Sequence, residues 1–115
     1  MGQRLYKVVA EKLWREAEAA GDFAGAEIDH DDGFIHLSSA SQVVETVTRH
    51  FAGQADLLLV SVDEEALGET LKWERSRGGD LFPHVYGVIQ MNAVVDVVPL
   101  PLGADGAHIF PADLN

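Results

Sequence analysis

The sequence has no cysteine, so a chain of 115 residues must be held together without disulfides. A domain of about 100–150 residues buries roughly two thirds of its unfolded surface, which suffices for one hydrophobic core. We therefore expect a single domain spanning residues 1–115. The absence of cysteine fits a reducing compartment, and we expect the protein to be cytoplasmic.

Basic side chains are scarce. Eight Lys and Arg stand against 19 Asp and Glu, which gives a formal net charge of −11. Such a charge repels phosphate backbones at long range, so we do not expect nucleic acid as a partner. Three of the few cations, Lys72, Arg75 and Arg77, fall close together, where they either bind a small anion or form a solvated face.

Long apolar runs and familiar catalytic motifs are also missing. The most apolar stretch, residues 94–102, is interrupted by Asp96 and two prolines, far short of the ~20 residues of a membrane span. Neither a signal-peptide core nor a myristoylation signal stands at the N-terminus. There is no Gly-x-Ser-x-Gly elbow, P-loop or nucleophilic cysteine, which excludes the classical hydrolase and P-loop classes.

Hydrophobic periodicity predicts helices early and strands mostly late, which is typical of an α+β domain. We expect a bent, split, mostly antiparallel or mixed sheet with two helices in the N-terminal half. The predicted strands are 5–9, 34–38, 56–63, 70–75, 85–90 and 94–98, and the predicted helices are 10–20 and 40–51. We expect a loop over 21–32, a turn or short helix over 64–68 and a mobile loop over 76–80. Residues 99–115 are expected to form an extended tail. Ser39 and Gln42 match a capping box for the second helix.

The acidic stretch from Asp29 to Gly33 invites comparison with a calcium-binding loop. The register fails, because Phe34 stands at the sixth position, where the EF-hand requires glycine. We expect an ordinary hydrogen-bonded loop. Asp32 either shapes the turn before Gly33 or contacts a ligand.

Two segments repeat one pattern of side chains. Residues 34–38 and 82–86 each place an aromatic ring, a histidine and a hydroxyl group at alternate positions, so each set lies on one face of a strand. We expect Ile35 and Leu37 to face the core. The two polar faces then line one pocket, unless His36 and His84 are core histidines satisfied by backbone carbonyls.

The segment 73–79 combines an indole, a carboxylate and guanidinium groups before a glycine pair. It either holds a ring and a pyrophosphate or simply pairs Glu74 with a neighbouring arginine. A metal site built from His36, His84 and a carboxylate is chemically allowed, but no recognised ligand spacing is present. We therefore expect no metal.

The runs 33–38, 72–74 and 82–87 resemble an uncharacterised bacterial family, domain of unknown function number 952, over nearly the whole chain. Through that family the chain resembles the ADP-ribosyltransferase-like fold, a split, bent sheet that binds NAD in a cleft. The resemblance implies NAD or an ADP-ribose-like nucleotide as the small-molecule ligand. It also implies a late glutamate, yet no glutamate follows Glu74.

Together the residues and the resemblance give two hypotheses. The domain is either an NAD-dependent transferase or hydrolase, active or degenerate, or a non-catalytic module that binds a small ligand or a protein. In the first, His36 and Ser38 bind ribose or nicotinamide, Tyr86 or Trp73 stacks, and Arg77 binds phosphate. The candidate catalytic residues are His36, Glu74 and His84, and the candidate ligand-binding residues are Asp32, Ser38, Trp73, Arg77, Phe82 and Tyr86.

Overall fold

A computed structural model describes residues 3–114, with the exception of the Arg77 side chain. The elements are β1 (Arg4–Ala10), α1 (Glu11–Ala20), β2 (Asp22–Phe23), α2 (Glu27–Asp32), β3 (Ile35–His36), α3 (Ala40–His50), β4 (Leu57–Asp63), α4 (Glu64–Leu67), β5 (Leu71–Arg75), β6 (Leu81–Val85), β7 (Ile89–Gln90) and β8 (Val94–Leu100). Every pairing between these strands is antiparallel. The prediction of an α+β domain with antiparallel sheets is confirmed.

The largest sheet has the order β1-β4-β8, and its central strand is buried on both faces. Side chains alternate across β1, so that Leu5 and Val9 join a core that also contains Trp14 of α1. Tyr6 and Val8 point the other way, into a second core with α3. Two hydrophobic layers thus cover one sheet, as its near-continuous apolar strands require.

A second sheet, β3-β6-β5, carries the two histidine-containing segments. It joins the first sheet through a bridge in which the Tyr6 amide donates to the Ser38 carbonyl at 2.8 Å and the Ser38 amide donates back at 2.9 Å. A third, two-stranded sheet pairs β2 with β7. The Tyr6–Ser38 bridge therefore brings the histidine sheet against β1.

The predicted loop 21–32 is wrong, because it contains β2 and the helix α2. Asp29 is the third residue of α2, and its Oδ2 accepts the amide hydrogen of Ala26 at 2.8 Å, which caps the helix start. Gly33 ends the helix in the left-handed conformation. Six residues are too few to show a helical period in the sequence, which explains the error.

The predicted strand 85–90 is also misplaced. β6 ends at Val85, and the chain turns through Gly87, whose φ is +156°. The Tyr86 amide donates to the Thr70 carbonyl at 2.8 Å just before this turn. β6 therefore covers the segment that contains Phe82 and His84, which lies before the predicted strand. Of the predicted strand 85–90, only the short β7 forms a strand after the turn.

The strand predicted over 34–38 is shorter than expected, because β3 covers only Ile35–His36. Most other boundaries lie within one or two residues of the expectations. Gly21 ends α1 in the left-handed conformation, and Gln42 accepts the amide of Ser39 at the start of α3. β8 continues to Leu100, so the tail begins later than predicted, and Phe110 packs on the second core. No helix within residues 3–114 is long and apolar enough to cross a membrane.

Replacing Gly33 should test the turn that delivers the chain to the site. Its φ is +86°, and an added Cβ would meet nothing within 4 Å, so only backbone strain penalises a side chain. We expect Gly33→Ala to lower the free energy of unfolding by about 1–2 kcal/mol, measured by urea denaturation. Gly33→Asn should cost less, because asparagine tolerates this conformation better. Equal stability of the two variants would contradict this explanation.

Candidate functional site

The site lies on one face of the sheet β3-β6-β5. His36 stands opposite His84 in the register, and His84 stands opposite Lys72 on its other side. Ile35, Val85 and Leu71 form the equivalent row on the opposite face, which packs into the core. The structure thus brings the two histidine-containing segments side by side on one surface.

Phe34 is the centre of a cluster of rings on this face. Its ring stacks on His84 at 4.1 Å between centroids with an interplanar angle of 27°. The rings of His36 and Tyr86 lie 4.7 and 5.3 Å from it, both tilted. The two imidazoles are 5.6 Å apart, edge to face. These contacts fix both histidines relative to each other.

A cavity of about 540 Å³ opens beside the cluster. It is lined by Tyr6, Lys7, Val8, Ile28, His36, Leu37, Ser38, Thr46, His50, Phe51, Ser76, Phe82 and His84. The wall thus combines imidazole and hydroxyl groups with a larger apolar surface, the combination typical of small-molecule sites. Ser38 lies at this wall, where its hydroxyl is 3.1 Å from that of Thr46.

The buried carboxylate of Asp29 holds Lys7 and His36 in place, and its side chain is only 1% exposed. Its oxygens lie 2.8 Å from Lys7 Nζ, 2.7 Å from His36 Nδ1 and 3.0 Å from the His36 amide nitrogen. Burial alone would raise the pKa of Asp29. The hydrogen bond from His36 and the charge and hydrogen bond of Lys7 outweigh burial, with help from the Ala26 amide, and hold this pKa far below its usual range.

Lys7 is one of the site residues that the sequence predictions missed. Its side chain is 7% exposed and lies in a strand of otherwise apolar inward positions. Burial lowers the pKa of Lys7, and the adjacent carboxylate of Asp29 opposes that change. A charge inside an apolar strand requires a partner. A lysine at an inward position of an apolar strand could therefore have predicted a buried ion pair. The sequence does not show that the partner is Asp29, 22 residues away.

His36 is held between two carboxylates. Nδ1 faces Asp29, while Nε2 lies 2.9 Å from Oδ2 of Asp32, the last residue of α2. Only the doubly protonated imidazolium can donate to both acceptors. Asp32 therefore contacts a candidate site residue directly, rather than only shaping the turn.

His84 is positioned by a different carboxylate. Its Nδ1 donates to Oε1 of Glu74 at 2.8 Å, and the hydroxyl of Tyr86 donates to the same oxygen at 2.8 Å. The hydrogen bonds from His84 and Tyr86 lower the pKa of Glu74, and the bond to Glu74 raises the pKa of the Tyr86 hydroxyl. With Nδ1 engaged, Nε2 is the nitrogen that His84 offers to the cavity.

Among the remaining candidates, Trp73 lies away from the cavity. Trp73 occupies the core face of β5, where its Nε1 donates to Glu64 at 3.3 Å, so it is not part of the cavity. Arg75 donates to the Gly79 carbonyl at 2.8 Å. The Arg77 side chain lies outside the described residues. No group of three or more His, Asp or Glu side chains in the described part of the chain has a geometry that could hold a metal ion.

Comparison with protein families gives a clear assignment. The family model described as "Protein of unknown function (DUF952)" matches residues 8–97. The chain belongs to this family. The match runs from β1 into β8 and includes Asp29, His36, Glu74, His84 and Tyr86.

Solved structures similar to this DUF952 chain come from Caulobacter crescentus. The crystal structure of protein CC0527 has a TM-score of 0.89 and 45% identity, covering 93% of this chain and 94% of that one. The solution NMR structure of CC0527 has a TM-score of 0.82 and 46% identity, covering 90% of each chain. No curated protein matches the chain.

Removing the charge of Asp29 should destabilise the domain and flatten its acid unfolding profile. Its pKa is held below the unfolded value of about 3.9, so its stabilisation is complete above that pH and is lost as the pH falls towards the folded value. We expect Asp29→Asn to lose about 3–5 kcal/mol at pH 7, because Lys7 becomes an unpaired buried charge. Urea denaturation between about pH 2 and 7 measures both effects.

Asp31→Asn is the matched control, because Asp31 is an exposed carboxylate of the same helix. It should change stability by no more than about 0.5 kcal/mol. The double variant Lys7→Met, Asp29→Asn should recover part of the loss, since no charge is left unpaired. A stable Asp29→Asn variant with an unchanged acid profile would contradict the proposed role of this pair.

Proposed function

We propose that the cavity binds a nucleotide of the NAD or ADP-ribose type and that His84 is its acid–base group. The observation that carries the proposal is the Glu74–His84 pair, which engages Nδ1 of a histidine that lines the cavity and leaves Nε2 as the nitrogen available to a ligand. A carboxylate that orients a histidine in this way keeps one tautomer and stabilises the imidazolium that forms on proton uptake. The split antiparallel sheet agrees with an ADP-ribosyltransferase-like fold.

The cavity wall supports this class of ligand. Its volume of about 540 Å³ lies in the range of about 300–1,000 Å³ usual for small-molecule sites. Hydroxyl groups of Ser38 and Thr46 and the imidazole of His84 suit the hydroxyls of a ribose. Ile28 and Phe51 provide the apolar surface that a flat base ring requires.

The assignment of the stacking aromatic changes from the sequence expectation. Tyr86 uses its hydroxyl to hold Glu74, and its ring packs near Phe34 instead of lining the cavity. Phe82 does line the cavity and is the predicted aromatic best placed to contact a nicotinamide ring. Tyr86 is then a positioning residue for Glu74.

The reaction follows from the chemistry of the nicotinamide–ribose bond. A water oxygen bonds to C1′ of the ribose, and its proton passes to Nε2 of His84. The C1′–N bond breaks, and its electron pair returns to the nicotinamide nitrogen, which leaves neutral. The proton on His84 is released to solvent, and Glu74 stabilises the transient charge. An acceptor hydroxyl in place of water would give transfer instead of hydrolysis.

One observation favours a second candidate, nucleotide binding without turnover. No carboxylate is among the described residues that line the cavity. Glu74 does not line the cavity, and its Oε1 accepts hydrogen bonds from His84 and Tyr86. Stabilisation of a developing positive charge at C1′ by a carboxylate is therefore absent from the described wall.

Thermal unfolding with NAD and ADP-ribose tests binding. A ligand that binds only the folded state raises the melting temperature, and at 100 times Kd it stabilises the fold by about 2.7 kcal/mol. We expect a rise for the wild-type chain with at least one of the two nucleotides. No change with either at millimolar concentration would contradict the proposal.

Release of nicotinamide tests the role of His84. We expect His84→Asn to retain nucleotide binding and to lower the release rate by about 10²–10⁴-fold. His30→Asn is the matched control, because His30 is exposed on α2 and does not line the cavity. A wild-type chain that binds NAD and releases no nicotinamide would support the binding-only function.

A further inference from the structure

We propose that Nε2 of His36 is an anion subsite whose resident occupant is Asp32. A phosphate oxygen of the bound nucleotide would replace the Asp32 carboxylate there. This assignment extends the proposed function, since it names the part of the ligand that His36 receives. Inorganic pyrophosphate carries the same chemistry and tests the subsite without the nucleotide.

His36 is a fixed donor, not a mobile one. Its backbone amide and its Nδ1 both contact Oδ1 of Asp29, at 3.0 and 2.7 Å. That oxygen belongs to a buried carboxylate that Lys7 also holds. The ring therefore cannot turn without breaking buried contacts, and its Nε2 stays directed outward.

Asp32 has none of these constraints. Its side chain is 48% exposed, and among the side chains that the structure describes it forms an ion pair with His36 alone. It stands at the C-terminal residue of a six-residue helix, next to a glycine. An exposed ion pair contributes little, so the carboxylate can rotate into solvent when a stronger anion arrives. The two carboxylates on His36 thus differ in kind: Asp29 is structural, and Asp32 is exchangeable.

The contacts of His36 favour an anion over a neutral ligand at this position. The Asp32 carboxylate shows that an anionic oxygen fits at Nε2, at 2.9 Å. With Asp32 turned away, the charge of Asp29 is balanced by Lys7, so it does not oppose a second anion there. A phosphate oxygen at Nε2 replaces one anion by another. The ring of His84, 5.6 Å from that of His36, lies close enough to contact an adjoining sugar.

Alanine replacements at Asp32 and Asp31 distinguish an effect at the His36 subsite from the general effect of removing one negative charge. Asp32→Ala and Asp31→Ala remove the same charge from the same helix, and both positions are exposed, but only Asp32 contacts His36. Pyrophosphate binding is measured by calorimetry at one low ionic strength. If Asp32 occupies Nε2 about nine tenths of the time, its removal should tighten binding about tenfold. Asp31→Ala should stay within about twofold of the wild type.

A spectroscopic readout places the anion on the ring. In nitrogen-detected imidazole NMR spectra, pyrophosphate should shift the His36 Nε2 resonance in the wild type and at lower concentration in Asp32→Ala. Adding His36→Gln to Asp32→Ala should abolish the gain in affinity. Equal affinities of Asp32→Ala and Asp31→Ala, an unshifted His36 resonance, or no measurable binding to Asp32→Ala would each overturn the proposal.

The same titrations distinguish the two proposals. If ADP-ribose binds the wild type and Asp32→Ala equally, nucleotide binding is supported and the anion subsite at His36 is contradicted. If Asp32→Ala gains pyrophosphate affinity while neither protein binds NAD or ADP-ribose, the anion subsite is supported and nucleotide binding is contradicted.

Discussion

The buried carboxylate of Asp29 is the interaction on which the site depends. It joins three parts of the chain that are separate in sequence: Lys7 of β1, Ala26 before α2, and His36 of β3. A carboxylate with 1% exposure is costly to bury unless its oxygens are satisfied. Here each oxygen accepts hydrogen bonds from at least two donors, so the carboxylate links the sheet β1-β4-β8, the helix α2 and the strand β3.

His36 and His84 show how differently carboxylates can fix an imidazole. His36 is held by a buried anion and offers a permanently directed donor. His84 is held by Glu74, whose side chain is 38% exposed and therefore in contact with solvent. Phe34 lies between the two rings and sets their separation. This difference underlies the roles proposed above, in which His36 binds an anion and His84 exchanges a proton.

Local patterns predicted much of the fold and of the site. The alternation in 34–38 placed Ile35 in the core and His36 on the opposite face, and the similar segment 82–86 placed His84 beside it. Alternation is a property of neighbouring residues, so a sequence displays it directly. The capping box at Ser39 was visible for the same reason.

The parts that escaped prediction depend on contacts between distant residues. α2 exists through the capping contact of Asp29 and the turn at Gly33, not through a hydrophobic period. The pairing of Lys7 with Asp29 spans 22 positions. Tyr86 looked like a stacking ring, but its hydroxyl is directed to Glu74 by the way β5 and β6 pair. Register between strands decides such contacts, and a single sequence does not reveal it.

The ionisation of Asp29 is the most direct test of this organisation. Carbon-detected NMR can follow the side-chain carboxyl of Asp29 in the folded protein as the pH is lowered from 7. An unpaired aspartate titrates with a pKa near 3.9. The contacts of Asp29 lower that pKa, so the expected result is a carboxyl signal that remains in its ionised position down to the acid limit of the folded state. A midpoint at or above about 3.9 would contradict the central role of the Lys7–Asp29–His36 cluster.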